Sequence, residues 1–117
     1  MTLRIAVSKE EGKVSEFNDV IIGEGEMYLL QGNTPHNPIR YKDTIGIVIE
    51  RTRSEKSIDK VRWYCEKCSH IVHEVSIQCA DMQTHLPSVI NEYATDSSLR
   101  TCPNCPHLNS LQNNNHN

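Results

Sequence analysis

GEMYLLQGNTPHNPIR, residues 25–40, is the stretch on which the fold of this chain turns. A strand-like run, Met27–Leu30, leads into the turn Gly32-Asn33-Thr34-Pro35, and a lone histidine, His36, follows between two prolines. Proline on either side bars a helix and fixes the local backbone, which helps to aim an imidazole. On a strand, His36, Pro38 and Arg40 share one face. The chain then returns through Tyr41–Asp43 into Thr44–Arg51, where Ile45, Ile47, Val48 and Ile49 form a β-branched series. If the connection is odd, Arg40 lies opposite Thr44 and Thr34 opposite Glu50, so Glu50 joins His36 and Arg40 on one face. An even connection turns Glu50 away. Taken by themselves, these residues fit a solvated polar rim as well as a site, because strand-end Glu and Arg usually pair in water.

Working outward, Leu3, Ile5 and Val7 alternate with polar residues, a charged turn covers Ser8–Ser15, and Val20–Ile22 is split from Met27–Leu30 by Gly23-Glu24-Gly25. Short strands spaced by Gly, Pro, Asn and Asp predict a sandwich or small barrel. Residues 51–60 are charged and lack an apolar period, which reads as a connector. Val61–Tyr64 and Ile71–Ser76 are two further strand-like runs. One helix follows, with Leu86, Val89, Ile90 and Tyr93 at i, i+3, i+4 and i+7 and Pro87 suited to a first turn. Three segments result: a mainly β part over 1–60, a cysteine-bearing extension with the helix over 61–108, and a polar, disordered tail over 109–117.

Composition narrows the function classes. The 117 residues carry 12 Lys and Arg against 15 Asp and Glu, a formal charge of −3, and 37% are hydrophobic. One modest core fits that length. Net acidity and six aromatic residues (Phe 1, Trp 1, Tyr 4) argue against nucleic acid as a partner, and with it a zinc-ribbon contact module. No apolar run approaches the roughly 20 residues that cross a bilayer, so no membrane partner is expected. No secretory segment is evident either, which points to the cytoplasm, and five cysteines there point to metal rather than disulfides.

Cys65-Glu-Lys-Cys68 and Cys102-Pro-Asn-Cys105 form a CxxC…CxxC pair with 33 residues between them. Two intervening residues let both sulfurs of a turn face one point, and two such turns complete a tetrahedral cage. Four thiolates suit Zn(II) or a single iron, and with no open position the site is structural. Cys79 reads as a small buried hydrophobe. His70, His73 and His107 lack finger spacing and read as surface residues or as supports of the cage.

EGEMYLLQGNTPHNPIRYKDTIGIVIER (24–51), with RWYCEKC (62–68) and TCPNC (101–105), resembles the C-terminal two-thirds of the 3-hydroxyanthranilate 3,4-dioxygenase family. The likeness extends over nearly the whole chain apart from the Asn-rich tail. It implies a partial cupin (double-stranded β-helix, or jelly-roll) barrel followed by a rubredoxin-like metal site and a C-terminal helix. It also implies Fe(II) chemistry on 3-hydroxyanthranilate and O2. The product, 2-amino-3-carboxymuconate semialdehyde, is the precursor of quinolinate in NAD biosynthesis from kynurenine. By this likeness His36 is a ligand of the catalytic iron and Arg40 grips the substrate carboxylate. Glu50 contacts the hydroxyl and amino edge and serves as catalytic acid–base. Cys65, Cys68, Cys102 and Cys105 hold Fe or Zn. The family tends to homodimerise.

The likeness also implies ligands that precede His36, a His-x5-Glu pair, and no histidine stands before His36 here. A facial iron site needs three protein ligands, so a truncated chain, inactive alone, is the expectation. A non-catalytic cysteine module binding Zn or Fe is the alternative.

Overall fold

The computed structural model describes residues 1–7 and 16–111; the charged turn expected over Ser8–Ser15 falls outside the described residues. The protein is mainly β with a C-terminal helix, as expected, and divides into two compact units between Ile49 and Glu50. The charged stretch 51–60 thus goes with the second unit, and its last residues already belong to a strand.

In the first unit, β1 (Thr2–Val7) lies between β2 (Glu16–Ile21) and β3 (His36–Ile39), antiparallel to both. The register runs from Thr2 opposite Ile21 to Val7 opposite Glu16 on one side. On the other it runs from Thr2 opposite Ile39 to Ile5 opposite His36. The Ala6 amide extends this second ladder by donating to Pro35 O at 2.9 Å. Leu3 and Ala6 are the buried apolar residues of the sheet. After β2 the expected turn forms, with Glu26 N donating to Gly23 O at 3.1 Å and Gly25 at φ 77°, a conformation that favours glycine.

Two expected strands do not form. Met27–Leu30 and Thr44–Arg51 join no ladder, and Ile45, Ile47 and Ile49 are 96%, 85% and 87% exposed. β-branched sequence makes a strand only where a neighbour accepts and donates its backbone hydrogen bonds. β1 already uses both edges, and Pro38 has no amide to offer, which suits β3 to the sheet edge. The forward hairpin expected to place Arg40 opposite Thr44 and Thr34 opposite Glu50 does not form among the described residues; β3 pairs back to β1 instead.

In the second unit, β4 (Ile58–Tyr64) and β5 (Ile71–Gln78) form an antiparallel hairpin whose register shifts at Trp63/Tyr64, just before the first cysteine turn. A 3-10 turn, Cys79–Asp81, feeds α1 (Met82–Thr95), and a single helical turn, α2 (Ser97–Arg100), follows. Because that 3-10 turn starts the helix early, Pro87 sits in its second turn rather than its first. Both helices pack on β5. The core is formed by Ile77, Tyr93, Cys65 and Cys102, with Trp63 stacked on Tyr93 (centroids 4.3 Å apart, planes 11° apart). Cys79 is half-buried. Ile77→Ala should lower unfolding stability by about 2–5 kcal/mol, read by denaturant melts, because so small a core cannot close over the lost volume.

Candidate metal centre

The two CxxC turns are built alike. Each opens with the first cysteine's amide donating to the carbonyl five residues on: Cys65 N to His70 O and Cys102 N to His107 O, both at 2.8 Å. Inside each turn the sulfur of that cysteine accepts backbone amides, Lys67 and Cys68 on Cys65 Sγ (3.4 and 3.5 Å) and Asn104 on Cys102 Sγ (3.4 Å). β4 and β5 hold the first turn between them, while an isolated bridge between Thr101 and Leu108 closes the second.

The turns face each other with sulfurs paired crosswise, Cys65 Sγ 3.4 Å from Cys105 Sγ and Cys68 Sγ 3.6 Å from Cys102 Sγ. All four lie within 4.8 Å of one another. A tetrahedron with metal–sulfur bonds of about 2.3 Å has edges of about 3.8 Å, so the donors fit one ion. The same spacings are far beyond a disulfide of about 2.05 Å. Among the described residues this is the cluster of metal-capable side chains that comes together, as the spacing led one to expect.

Protonation follows the same geometry. The His70 backbone amide, with the Asn104 side-chain amide, pulls Cys68 down to about 6. The His107 amide also pulls on Cys105, but burial and the three neighbouring sulfurs outweigh it and hold that thiol up to about 12. A cation bound among the four sulfurs would favour their charged form.

Around the cage stands a set of contacts that sequence reasoning missed. Asn109, assigned above to a disordered tail, is 4% exposed and folded against the first turn. Its Nδ2 donates to Tyr64 O (2.9 Å) and Tyr93 Oη (3.1 Å), and its Oδ1 accepts from Glu66 N (3.1 Å). Glu66 in turn accepts from Ser110 and from His107 Nε2, and these two partners, the Ser110 hydroxyl first, hold its carboxyl below the usual range. An asparagine in a polar run gives no sequence signal of burial. Residues 112–117 of the expected tail lie outside the described residues.

The other sequence-derived residues are placed more openly. His36 opens β3 on the first unit, exposed, with Nδ1 2.9 Å from Thr34 O. A carbonyl only accepts, so Nδ1 carries the proton and Nε2 keeps its lone pair for a ligand's role. Arg40 lies one residue past β3, also exposed, while Glu50 opens the second unit. Among the described residues no further histidine or carboxylate joins His36 in a metal-capable group, so these residues alone do not complete an iron site.

Among the described residues no helix is long and apolar enough to cross a membrane. A family model described as 3-hydroxyanthranilic acid dioxygenase matches residues 1–94, ending before the second CxxC turn. Proteins called 3-hydroxyanthranilate 3,4-dioxygenase are similar to the chain. The one from Neurospora crassa is 51% identical over 89 residues, 76% of this chain and 49% of the relative. That from Scheffersomyces stipitis is 48% identical over 94 residues (80% and 55%), and that from Meyerozyma guilliermondii 45% over 102 residues (87% and 57%). The chain spans about half the length of the curated relatives it matches, rather than the two-thirds its motifs suggested.

Proposed function

The chain belongs to the 3-hydroxyanthranilic acid dioxygenase family, and from that membership we propose that it supplies the substrate-gripping part of a ring-cleaving dioxygenase acting on 3-hydroxyanthranilate and O2. The observation that carries this reading is the family match over residues 1–94, which takes in β3, Arg40 and Glu50. The cupin architecture fits the family, and on this proposal the β2-β1-β3 sheet is the part of the chain that belongs to it.

The roles follow from side-chain chemistry. Arg40 offers a planar guanidinium that binds a carboxylate through two parallel hydrogen bonds, which fixes an aromatic acid in orientation. Glu50 is the group to take the proton of the phenol next to the bond that breaks. His36, held by Thr34 O, presents Nε2 as one metal ligand. In this family's chemistry both oxygen atoms enter between C3 and C4 of the ring, and the semialdehyde formed closes to quinolinate. We place this activity in the cytoplasm, with Fe or Zn as the ion of the four-cysteine cage.

Grafting tests the proposal. Put in place of the matching 89 residues of the Neurospora crassa relative, this chain should give an enzyme that turns 3-hydroxyanthranilate yellow as the semialdehyde appears. A folded but inactive graft, beside an active parent, sinks the reading. The 117-residue chain alone, mixed with Fe(II), O2 and 3-hydroxyanthranilate, should give no such absorbance, since His36 is one ligand of the three needed.

A second reading has its own support in the four-cysteine cluster, which is assembled within the second unit without any residue of the first. On that reading the chain is a non-catalytic metal module. Stoichiometric metal in the graft without turnover would favour it.

A further inference from the structure

Asn109 is the buried polar side chain of the described residues, and both of its N–H donors and its carbonyl oxygen are engaged. Its orientation is fixed by chemistry: reversed, the amide would set oxygen against the Tyr64 carbonyl and nitrogen against the Glu66 amide. The residues it joins come from separate parts of the chain. Tyr64 ends β4, Glu66 lies inside the first CxxC turn, and Tyr93 belongs to α1. Asn109 itself is tied by its backbone to the start of the second turn, its amide donating to Arg100 O (3.0 Å) and its carbonyl accepting from Arg100 Nη1 (2.9 Å).

The tie is made in both directions. The segment after the second turn reaches the first turn's backbone through Asn109. The first turn reaches back through the Glu66 carboxylate to Ser110 N (3.2 Å) and His107 Nε2 (3.2 Å). Each turn sets the spacing of its own two sulfurs. The distance between Cys65 and Cys105, and between Cys68 and Cys102, depends on what holds the turns together. Asn109 and Glu66 span that gap, each more than 40 residues from its partner in sequence.

We propose that Asn109, with Glu66 and Ser110, is a positioning latch that holds the two CxxC turns in register, so that the four thiols are arranged for a metal ion and release it slowly. This rests on the reading of the four-cysteine cluster as a metal centre. Supporting residues of this kind affect affinity by about 10- to 100-fold when removed, because the ligands must then be ordered by the ion itself.

The test is metal release from the full chain loaded with Co(II), followed by its thiolate charge-transfer absorption after addition of excess EDTA. Asn109→Leu should release Co(II) about 10- to 100-fold faster than wild type. Glu66→Gln, which weakens the exposed half of the latch, should release it several-fold faster. A control, Ile77→Val, loosens the core of the same unit without removing any hydrogen bond of the latch and should release it at the wild-type rate even where its melting temperature falls. If Asn109→Leu does not fold, Glu66→Gln combined with Ser110→Ala carries the expectation of about 10-fold.

Wild-type rates in both latch variants overturn the proposal, and so does equal acceleration in the Ile77→Val control, which would make the effect one of general stability. A wild-type chain that takes up no Co(II) overturns the metal-centre reading itself, a result readily told apart from loss of the latch alone.

Discussion

Replacing Cys102 by serine should empty the four-cysteine cage and unfold the second unit. Cys102 is 1% exposed, its sulfur lies 3.6 Å from Cys68 Sγ, and it accepts the Asn104 amide. A serine hydroxyl does not ionise near neutral pH, so the cage loses a charged donor and one corner of its tetrahedron. Structural zinc sites link on the order of 10 kcal/mol of metal binding to folding, because the unfolded chain has no assembled site. The core behind the cage is small, with Ile77 and Tyr93 its buried members besides the cysteines. It cannot replace that contribution. Metal content per chain should fall from about one to near zero. Trp63, the one tryptophan of the sequence, should lose its stack on Tyr93 and shift its emission to the red. Excess chelator added to wild type should reproduce both changes. A serine variant that keeps its metal and its Trp63 emission would contradict the cage as a structural centre.

On the roles proposed above for them, His36→Ala, Arg40→Ala and Glu50→Gln in the active graft should fail in three different ways. Loss of His36 removes a metal donor, so iron per chain and kcat should fall together, by at least about 10³-fold in kcat/KM. Loss of Arg40 leaves the substrate carboxylate without its bidentate partner. Truncating one member of such a charged pair costs about 2–5 kcal/mol, roughly 30- to 5,000-fold in kcat/KM, and most of it should appear in KM. Glu50→Gln keeps shape and loses the base, so kcat should fall by about 10²–10⁴ with KM nearly unchanged. Stopped-flow absorbance of the semialdehyde, with iron analysis of each variant, separates the three. Equal losses in all of them would mean that these residues support the fold and do not act on substrate.

The parts of this protein legible in its sequence are those set by local spacing. Two residues between paired cysteines direct both sulfurs to one side whatever surrounds them, so Cys65, Cys68, Cys102 and Cys105 could be grouped before any fold was seen. Leu86, Val89, Ile90 and Tyr93 marked a helix for the same reason, although Ile90 proves to be 40% exposed and only Tyr93 is buried. Pro87 misled as to where the helix starts. Its fixed φ suits a first turn, but the 3-10 turn at Cys79–Asp81 had already begun the winding.

What required the tertiary structure was every question of partner. Thr44–Ile49 has the composition of a strand and pairs with nothing described, while His36–Ile39, less strand-like and carrying Pro38, is held because β1 has a free edge for it. Register between distant segments is chosen by the burial of whole faces, which no local window contains. Asn109 makes the same point in polar chemistry. By itself it belongs to an Asn-rich tail; surrounded by Tyr64 O, Glu66 N and Tyr93 Oη, it is a buried amide with both donors and its oxygen bonded. The sequence alone thus determined which four cysteines come together, and it singled out His36 and Arg40 as side chains of the proposed substrate site. Only the fold decided which segments pair and what holds the cage closed, because burial and hydrogen-bond satisfaction are properties of neighbours brought together from across the chain.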